Sequence, residues 1–447
     1  MTTYKTSPYR KLLPVSEAAV QFTRGFWADR FDVCRSSMIP NMWQLMRDPN
    51  ISHAYTNFRI AAGLEEGEHK GPPFNDGDLY KWLEAVAHVY NVTHDVALDQ
   101  IMDEVIETIL KSQRQDGYIH TPVIIAERNG AAARQFNERL HFETYNLGHL
   151  MTAACTHFRA TGKETLMQAA RGATDFLYNF YKNAKAELAR NAICPSHYMG
   201  TIDMYRTTGD PRYLELAENL IEIRDLVVNG GDDNQDRIPF RQQDRVVGHA
   251  VRANYLFAGV ADVYMETGDD TLLSTLETLW ESVTQTKMYV TGGCGALYDG
   301  ASPEGAIDQA TITRVHQSYG REYQLPNMTA HNETCANIGN ALWNWRMLAI
   351  TGDAEFADIL ELVLHNSALV GISLDGTRYF YTNALRKLDD MPYELRWGRS
   401  RAKPTSARSA ARRTSCARSR RRGRSSTTSP TRGSGSTCTR VMSPIST

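Results

Sequence analysis

A carboxylate and a thiol lie two residues apart at Glu333 and Cys335, shortly after a turn marked by Leu325-Pro326-Asn327. Carboxylate and thiolate groups can both bind a borderline divalent cation such as zinc. Taken alone the pair is a weak signal, because a buried cysteine is usually a small apolar core residue and a zinc site normally has four ligands. The two residues are candidate metal ligands that do not by themselves make a site.

Three histidines occupy comparable places in the chain. His149 and His249 each follow an apolar residue and a glycine, and His197 follows Pro195-Ser196. Each opens a stretch with helical periodicity that we expect to be the inner helix of a helical hairpin. A single histidine is more often structural, whereas three at equivalent positions favour a polar pocket that binds hydroxyl groups.

The elements that would position these side chains are repeated helical hairpins. A short motif of the type Thr-Gly-Asp lies between an apolar helix and an amphipathic one. Its glycine can adopt the left-handed conformation that ends the first helix, and its aspartate can cap the N-terminus of the second. Starting at Gly162, the glycines of successive copies of the motif are 47, 59 and 84 residues apart. Such unequal spacing disfavours an open solenoid and favours an all-α closed toroid with long loops on one rim. The copies are Ala160-Thr161-Gly162-Lys163, Thr207-Thr208-Gly209-Asp210, Glu266-Thr267-Gly268-Asp269, Ile350-Thr351-Gly352-Asp353 and the degenerate Val92-Thr93-His94-Asp95.

Strand signals are few. Residues 287–290 and residues 377–381 are candidates for short hairpin strands. The second segment also carries three adjacent aromatic residues, for which core packing and stacking on a sugar both remain open. Trp343 lies on the apolar side of its predicted helix, so we predict that it belongs to the core.

Two further segments have simpler explanations. Asp76, Asp78 and Lys81 precede another predicted inner helix, and Asp78 suits an N-cap. The glycine-rich residues 291–295 lack the Lys-Ser/Thr of a phosphate-binding loop and the helix of a dinucleotide fold. Nucleotide binding is therefore rejected.

The charge distribution divides the chain near residue 400. Residues 400–447 contain twelve basic residues and no acidic ones, whereas residues 1–399 contain 37 basic and 51 acidic residues, a net charge of −14. An acidic body disfavours nucleic acid as a partner and favours a soluble enzyme with a small or neutral substrate. Its length suffices for one large core or two domains.

Nothing in the sequence predicts export or membrane insertion. The first fifteen residues lack the apolar segment of a signal peptide, and no stretch approaches the roughly 18 apolar residues of a membrane span. Seven scattered cysteines without framework spacing fit reduced thiols. We therefore predict a cytoplasmic protein with no membrane partner.

Several ordered motifs agree with one family pattern. They are Tyr80-Lys81-Trp82-Leu83-Glu84, Gly148-His149-Leu150, Gly248-His249-Ala250-Val251-Arg252-Ala253, Leu325-Pro326-Asn327 and Asn332-Glu333-Thr334-Cys335-Ala336-Asn337. With these motifs, residues 15–399 resemble glycoside hydrolase family 127, whose type activity is β-L-arabinofuranosidase. The resemblance implies an (α/α)6 barrel, followed in complete members by β-sandwich domains. It also implies a substrate with a non-reducing terminal β-L-arabinofuranosyl group or a related sugar.

The resemblance further implies a site built around zinc. Family members hold zinc with one Glu and three Cys, and one of these cysteines attacks the anomeric carbon to give a glycosyl-thioether in a retaining reaction. Zinc favours thiolate over thiol, which makes the sulfur a competent nucleophile. The resemblance assigns two zinc ligands to Glu333 and Cys335, and it places His149, His197 and His249 in the sugar-binding subsite.

The chain departs from the family pattern at the general acid/base. That glutamate lies ten residues before the asparagine of the Leu-Pro-Asn motif, and the corresponding residue here is Gln317, which cannot titrate. Glu322, five residues nearer the motif, is an alternative acid/base. A different sugar specificity within the family is the other interpretation.

The second departure concerns the nucleophile. The family's Cys-Cys-Pro-Pro-Asn motif is expected soon after Trp397, but this chain has Ala410-Ala411-Arg412-Arg413-Thr414 within a run of Arg, Ser and Thr. With free choice of third bases, those five codons read in a shifted frame spell Cys-Cys-Pro-Pro-Asn. We therefore expect an incomplete catalytic domain over residues 1–399. We expect residues 400–447 to be out of frame and disordered, zinc binding to be weak or absent, and the chain to be inactive.

Three alternatives remain open. The basic tail could be a genuine segment that binds RNA or acidic partners, and it would be disordered in that case too. The body could be another (α/α)6 enzyme, such as an unsaturated-uronide hydrolase or a sugar epimerase, which needs no Glu-x-Cys. It could also be a non-catalytic carbohydrate-binding barrel, for which a glutamine at the acid/base position is suitable.

Overall fold

The computed structural model describes residues 7–301 and 314–386, so the predicted tail over 400–447 lies outside the described residues. Their structure is mostly helical, and one antiparallel strand pair, β1 (Leu297–Ala301) and β2 (Arg314–Ser318), precedes the last hairpin. The helices are α1 Phe26–Val33, α2 Ile39–Arg47, α3 Ala54–Ala61, α4 Asn75–Thr93, α5 Val96–Ser112, α6 Thr121–Arg128, α7 Glu143–Thr161, α8 Thr165–Asn183, α9 Lys185–Asn191, α10 His197–Thr208, α11 Pro211–Glu222, α12 Ala250–Thr267, α13 Asp270–Thr286, α14 Thr334–Thr351 and α15 Ala354–Val363.

Five helical hairpins, α4–α5, α7–α8, α10–α11, α12–α13 and α14–α15, form the body of the described chain. Their first helices pack against one another in chain order, α4 on α7, α7 on α10, α10 on α12 and α12 on α14. This is the arrangement of the inner wall of an (α/α)6 barrel, and it confirms the predicted all-α toroid of hairpins.

The turn motif works as its sequence predicts. Each inner helix ends at a residue in the left-handed conformation, with φ between 52° and 75°; these residues are His94, Gly162, Gly209, Gly268 and Gly352. At Asp95, Asp210 and Asp269 the next side chain accepts a hydrogen bond from a backbone N–H of the outer helix. A local C-cap followed by a local N-cap is therefore sufficient to reverse the chain.

Inner and outer helices differ in how much of their surface is covered. Helix α12 is buried over nearly its whole length, whereas α8, α11 and α13 bury only one stripe. The core lies between the two rings of helices, and Trp343 sits in it with its ring 4.7 Å from that of Phe257. The prediction that Trp343 is a core residue is confirmed. In the part of the chain that the structure describes, no helix is both long and apolar enough to cross a membrane.

The strand predictions were wrong in position. Residues 287–290 and 377–381 form no ladder; each contributes one isolated bridge, Met288 with Cys294 and Tyr379 with Ile372. A tight turn, in which the Tyr289 N–H donates to the Gly293 carbonyl over 2.8 Å, closes the first segment after a single pair. The turn is too tight for a second pair of residues to join a β-ladder.

The capping prediction for Asp78 was also wrong. Helix α4 begins at Asn75, so Asp78 lies inside its first turn, where it forms an ion pair with Lys81 (Oδ1 to Nζ, 2.8 Å). The carboxylate of Asp76 instead accepts hydrogen bonds from the backbone N–H and the hydroxyl of Thr121, over 2.7 and 2.6 Å. Asp76 therefore binds a tertiary partner, Asp78 binds a residue one turn further along its own helix, and neither caps the helix end.

Candidate functional site

The candidate site lies at the rim formed by the N-terminal ends of the inner helices. His197 is the first residue of α10, His249 is the N-cap of α12, and Glu333 is the N-cap of α14. His149 differs from its expected place, because α7 begins six residues earlier and the histidine lies in the second turn. All three histidines are buried, as a pocket lining requires.

The strand pair brings Gln317 to this rim. Strand β2 pairs with the segment that leads into α12, through a bridge between Ser318 and His249 and a hydrogen bond from the Tyr319 N–H to the Gly248 carbonyl over 2.9 Å. Gln317 itself has a positive φ of 56°. This unusual conformation for a residue other than glycine is typical of functional sites.

Gln317 connects two other side chains. Its Oε1 lies 2.8 Å from Nε2 of His249, and its Nε2 donates to the hydroxyl of Tyr381 over 2.9 Å. Because the amide oxygen only accepts, Nε2 of His249 carries the proton. Burial lowers the pKa of His249 to about 3, helped by Arg252 and opposed by Glu333, so the ring is neutral at neutral pH.

Glu333 is a buried, ionised carboxylate. Its Oε2 lies 3.3 Å from Nε2 of His331. Burial alone would raise the pKa of Glu333, but the hydrogen bond and charge of His331 and a hydrogen bond from Tyr381 lower it to about 2. The carboxylate is thus in the form that a metal ion or a hydroxyl-rich ligand would meet.

Cys335 lies in the first turn of α14 and is only partly buried. It belongs to the surroundings of Lys81. Burial lowers the pKa of Lys81, but Asp78, Tyr255 and Cys335 raise it above the usual lysine value overall. The ammonium group is therefore held in its charged form beside the thiol, and a nearby cation favours thiolate.

His149 reaches the same surroundings through two tyrosines. Its ring centroid lies 4.5 Å from that of Tyr145 and 6.1 Å from that of Tyr255, both edge-on. The hydroxyl of Tyr145 accepts a hydrogen bond from Lys81 over 2.8 Å. His149, Lys81 and Cys335 thus face one region, although they come from three different helices.

His197 lies on the neighbouring inner helix. Its ring is fully buried, and neither of its nitrogens has a hydrogen-bond partner within residues 7–301 and 314–386. Burial, with a smaller contribution from Arg224, lowers the pKa of His197 to about 3. A neutral imidazole with two unsatisfied nitrogens is costly unless a polar ligand binds it.

Glu322 is not brought to this group. Its side chain is exposed, and within the described residues it makes no hydrogen bond or ion pair with Gln317, Glu333 or Cys335. It lies in the turn that follows β2, where the neighbouring Tyr323 N–H donates to the Thr286 carbonyl over 2.8 Å. Gln317, which the resemblance aligns with the acid/base, contacts His249 and Tyr381, whereas Glu322, the alternative, is exposed.

The zinc site is incomplete among the described residues. Glu333 and Cys335 gather no third His, Cys, Asp or Glu whose ligand atom lies within 4.8 Å of both, as far as residues 7–301 and 314–386 are concerned. Two donors do not satisfy the four-coordinate geometry that zinc prefers. The chemistry of the pair suits zinc, but the described residues do not complete the site.

Sequence reasoning missed His331 and underestimated Tyr381. His331 stands two residues before Glu333, and Asn332 between them adopts the left-handed conformation with φ 42°. Strand alternation therefore does not apply here, and no local spacing rule predicted this contact. Tyr381 was one of several clustered aromatic residues, and only the fold shows that its hydroxyl contacts Gln317.

A toroid of helical hairpins with histidines, tyrosines and a buried carboxylate at one rim defines the class of helical-barrel proteins that act on carbohydrates. The comparisons with known proteins make this specific. The family model for the β-L-arabinofuranosidase GH127 catalytic domain matches residues 19–418. The chain belongs to this family.

Individual relatives agree with the family match. The non-reducing end β-L-arabinofuranosidase of Bifidobacterium longum subsp. longum is 32% identical over 410 residues, which are 83% of this chain and 60% of the relative. A solved glycoside hydrolase is 55% identical, with a TM-score of 0.74 over 88% of this chain and 57% of the other. Ara127N-Se, a GH127 β-L-arabinofuranosidase from Geobacillus stearothermophilus T6, is 33% identical, with a TM-score of 0.74 over 83% of this chain and 59% of its own. The chain thus spans about 60% of the length of these relatives.

Proposed function

We propose that this chain carries the sugar-binding pocket of a β-L-arabinofuranosidase and recognises non-reducing terminal β-L-arabinofuranosyl groups of oligosaccharides. The observation that carries the proposal is the ionised Glu333 beside the linked side chains of His249, Gln317 and Tyr381. This group stands where the family resemblance places the reaction centre. Two of the relatives named above are β-L-arabinofuranosidases, and they support the choice of sugar.

The histidines are suited to binding sugar hydroxyls. Both nitrogens of His197 and Nδ1 of His249 are buried without partners in the described part of the chain. A neutral imidazole offers one donor and one acceptor, which matches the dual character of a hydroxyl group. His149, held edge-on by two tyrosines, would complete a three-sided polar lining.

Glu333 and Cys335 would be two of the zinc ligands. When bound, zinc would supply a stabilised thiolate for nucleophilic attack. The role of this chain's own residues is to keep the Glu333 carboxylate ionised and to hold a cation, Lys81, near the Cys335 sulfur. The remaining two ligands would come from the family motif expected after residue 397.

Proton transfer to the leaving group is the step that this pocket supports least. Gln317 occupies the acid/base position, but its amide is fixed between His249 and Tyr381 and does not titrate. Glu322, the alternative acid, is exposed and would need the turn after β2 to move inward. We propose that Gln317 positions its two neighbours and does not transfer a proton.

We further propose that the chain as printed binds the sugar without hydrolysing it. Residues 410–414 read Ala-Ala-Arg-Arg-Thr where the family has Cys-Cys-Pro-Pro-Asn, and a shifted reading frame accommodates that motif. A chain without the nucleophile retains the pocket described above, because that pocket is built from residues before 386. A sugar-binding protein without turnover is therefore the second candidate function, and Gln317 at the acid/base position favours it.

The test compares two genes, one as printed and one with the frame restored downstream of codon 399. Both proteins would be assayed with an aryl β-L-arabinofuranoside, and the α-L-arabinofuranoside would be the stereochemical control. We expect hydrolysis of the β-anomer with retention by the restored protein only, and weak L-arabinose binding by both in calorimetry. Equal hydrolysis by the printed chain would contradict the proposed inactivity. Failure of the restored protein to bind or hydrolyse the β-anomer would contradict the proposed function.

A further inference from the structure

A second cluster of metal-ligating side chains lies away from the proposed sugar pocket. We propose that His120, His141 and Glu143 bind a divalent transition-metal ion of the zinc class. One ligand atom from each of these residues lies within 4.8 Å of the others, so a single ion can reach all three. None of them contacts Glu333 or Cys335, and the two sites are therefore chemically separate.

The chain gathers these ligands at the start of two helices. His120 is the residue before α6, and Glu143 is the first residue of α7. His141 stands two residues before Glu143, and between them Phe142 adopts the left-handed conformation with φ 59°. This turn, between a short 3₁₀ helix and α7, holds the imidazole and the carboxylate close together.

His120 carries the strongest evidence for a ligand. Its ring is fully buried, with Nδ1 at 3.5 Å from Oδ2 of Asp76 and 3.3 Å from Nδ2 of Asn146. Its Nε2 is buried too, and it has no hydrogen-bond partner among the residues described. Because the Asn146 amide donates to Nδ1, the ring proton of His120 lies on Nε2 while no ion is bound. A metal ion at Nε2 would move that proton to Nδ1, where Oδ2 of Asp76 lies 3.5 Å away as the carboxylate partner that metal-binding histidines commonly have.

The carboxylate of Glu143 is fixed before any ion arrives. Its Oε1 accepts the backbone N–H of Phe136 over 2.8 Å, and its Oε2 accepts the hydroxyl of Tyr118 over 2.6 Å. Each oxygen keeps a second lone pair for a metal ion. Outer hydrogen bonds of this kind orient metal-binding carboxylates.

The donor set selects the class of metal. Imidazole nitrogens with one carboxylate suit zinc, cobalt or nickel, whereas calcium and magnesium prefer oxygen donors throughout. An ion here would tie the segment between α6 and α7 to the first turn of α4 through His120 and Asp76. We therefore assign it a stabilising role at the mouth of the barrel.

The experiment uses the full chain carrying Cys335→Ser, which removes the thiol of the other site. The protein would be dialysed against zinc chloride and its bound zinc measured by mass spectrometry, alone and with His141→Gln added. His365→Gln, an exposed histidine that packs on Phe26 and Trp27, is the matched control. We expect one zinc per chain, at least tenfold weaker binding with His141→Gln, and unchanged binding with His365→Gln.

Zinc binding that survives His141→Gln in a folded protein would overturn the assignment. If that variant unfolds, cobalt bound to the Cys335→Ser chain decides the question. Tetrahedral cobalt bands without thiolate charge transfer support a site of nitrogen and oxygen donors. Strong thiolate charge transfer, or no cobalt bound, would overturn it.

Discussion

The carboxylate of Glu333 is kept ionised by neighbouring protein groups and not by solvation. Burial disfavours a carboxylate, and the hydrogen bonds from His331 and Tyr381, together with the charge of His331, more than compensate for it. Removing one partner from a buried pair leaves the other polar group desolvated, which costs more than the pair itself contributes. The energetic role of His331 is therefore large even though it need not touch the sugar.

Replacing His331 with leucine tests this dependence. We expect the free energy of unfolding to fall by about 2–4 kcal/mol, because the carboxylate of Glu333 would lose its closest donor. Urea unfolding at pH 7 measures it. The control is His316→Leu, which removes a histidine–aspartate pair whose side chains are 53% and 38% exposed. That change should cost less than about 1 kcal/mol, and equal losses in the two variants would refute the explanation.

Gln317→Glu addresses the acid/base question in the protein with the restored reading frame. A carboxyl group at this position would lie against Nε2 of His249 and could protonate a leaving group. We expect kcat/KM to rise about 100-fold for substrates with poor leaving groups and little for activated aryl glycosides, since only the former need an acid. Gln317→Asn, which cannot titrate, should give no rise. A Gln317→Glu variant that leaves both substrates unchanged would show that the acid lies elsewhere.

Spacing in the sequence singled out individual candidate residues, namely Glu333, Cys335 and the three histidines, but not the side chains that they contact. The contact between His249 and Gln317 spans 68 residues, and that between Gln317 and Tyr381 spans 64. These contacts depend on where β2 docks, and no local rule determines that.

At the scale of elements, glycines set how closely the inner helices approach. A Cβ added at Gly259 of α12 would lie 2.4 Å from Cβ of Tyr198, and one at Gly148 of α7 would lie 2.5 Å from the backbone N of His197. Every contact between consecutive inner helices has such a glycine: Gly77 for α4–α7, Gly148 and Gly200 for α7–α10, Gly259 for α10–α12 and Gly339 for α12–α14. The glycines let the backbones of consecutive inner helices pack closely, and this brings the histidines of adjacent helices nearer to one another.

Gly259→Ala should therefore be costly despite the better helix propensity of alanine. The added methyl would meet the Cβ of Tyr198, which cannot move without its helix, so we expect a loss of about 1–3 kcal/mol in unfolding free energy. Gly172→Ala on the outer helix α8 is the matched control. Its Cβ would first meet Nε2 of Gln113 at 3.2 Å, and this amide donates to the carbonyls of Gly117 and Ala169. We expect this milder contact to offset the gain in helix propensity, so stability should change by less than about 1 kcal/mol. Thermal unfolding of both variants shows whether steric packing between helices or intrinsic helix propensity dominates the effect of the added methyl group.

The hairpins were predictable because their signals are local. A left-handed residue at the helix end and an aspartate after it depend only on nearby backbone, and Gly209-Asp210 shows both. The start of α7 was not predictable, because Glu143 is held there by the tertiary partners Tyr118 and Phe136. Asp78 was misread for a different reason: the helix begins three residues earlier, at Asn75, so Asp78 lies inside the first turn and pairs with Lys81 of the same helix.

For the molecule as a whole, buried neutral histidines make stability depend on pH. Burial lowers the pKa of His157 to about 4, with Lys163 adding to the effect and Asp103 opposing it. His69, His197 and His249 are shifted in the same direction. In an unfolded chain each would titrate near pH 6.5. Between pH 6.5 and 4 the unfolded state therefore binds more protons than the folded state, and stability falls as the pH is lowered.

His157→Phe isolates one of these groups at a site far from the pocket. The ring is fully buried near the end of α7, and its nitrogens have no hydrogen-bond partner in residues 7–301 or 314–386. At pH 7 we expect equal or higher stability, because an apolar ring replaces an unsatisfied polar one. Between pH 6.5 and 4 the variant should lose stability less steeply than the parent, by up to about 1.4 kcal/mol per pH unit.

Urea unfolding at pH 7, 6 and 5 measures that difference in slope, and His365→Phe, at an exposed position, supplies the comparison. The parent and the control should share one slope, because the replacement of His365 leaves every buried histidine in place. The variant should still lose stability in acid, since His69, His197 and His249 remain. A slope unchanged by His157→Phe would mean that His157 takes up its proton without unfolding, and the acid sensitivity would then have to come from the other histidines.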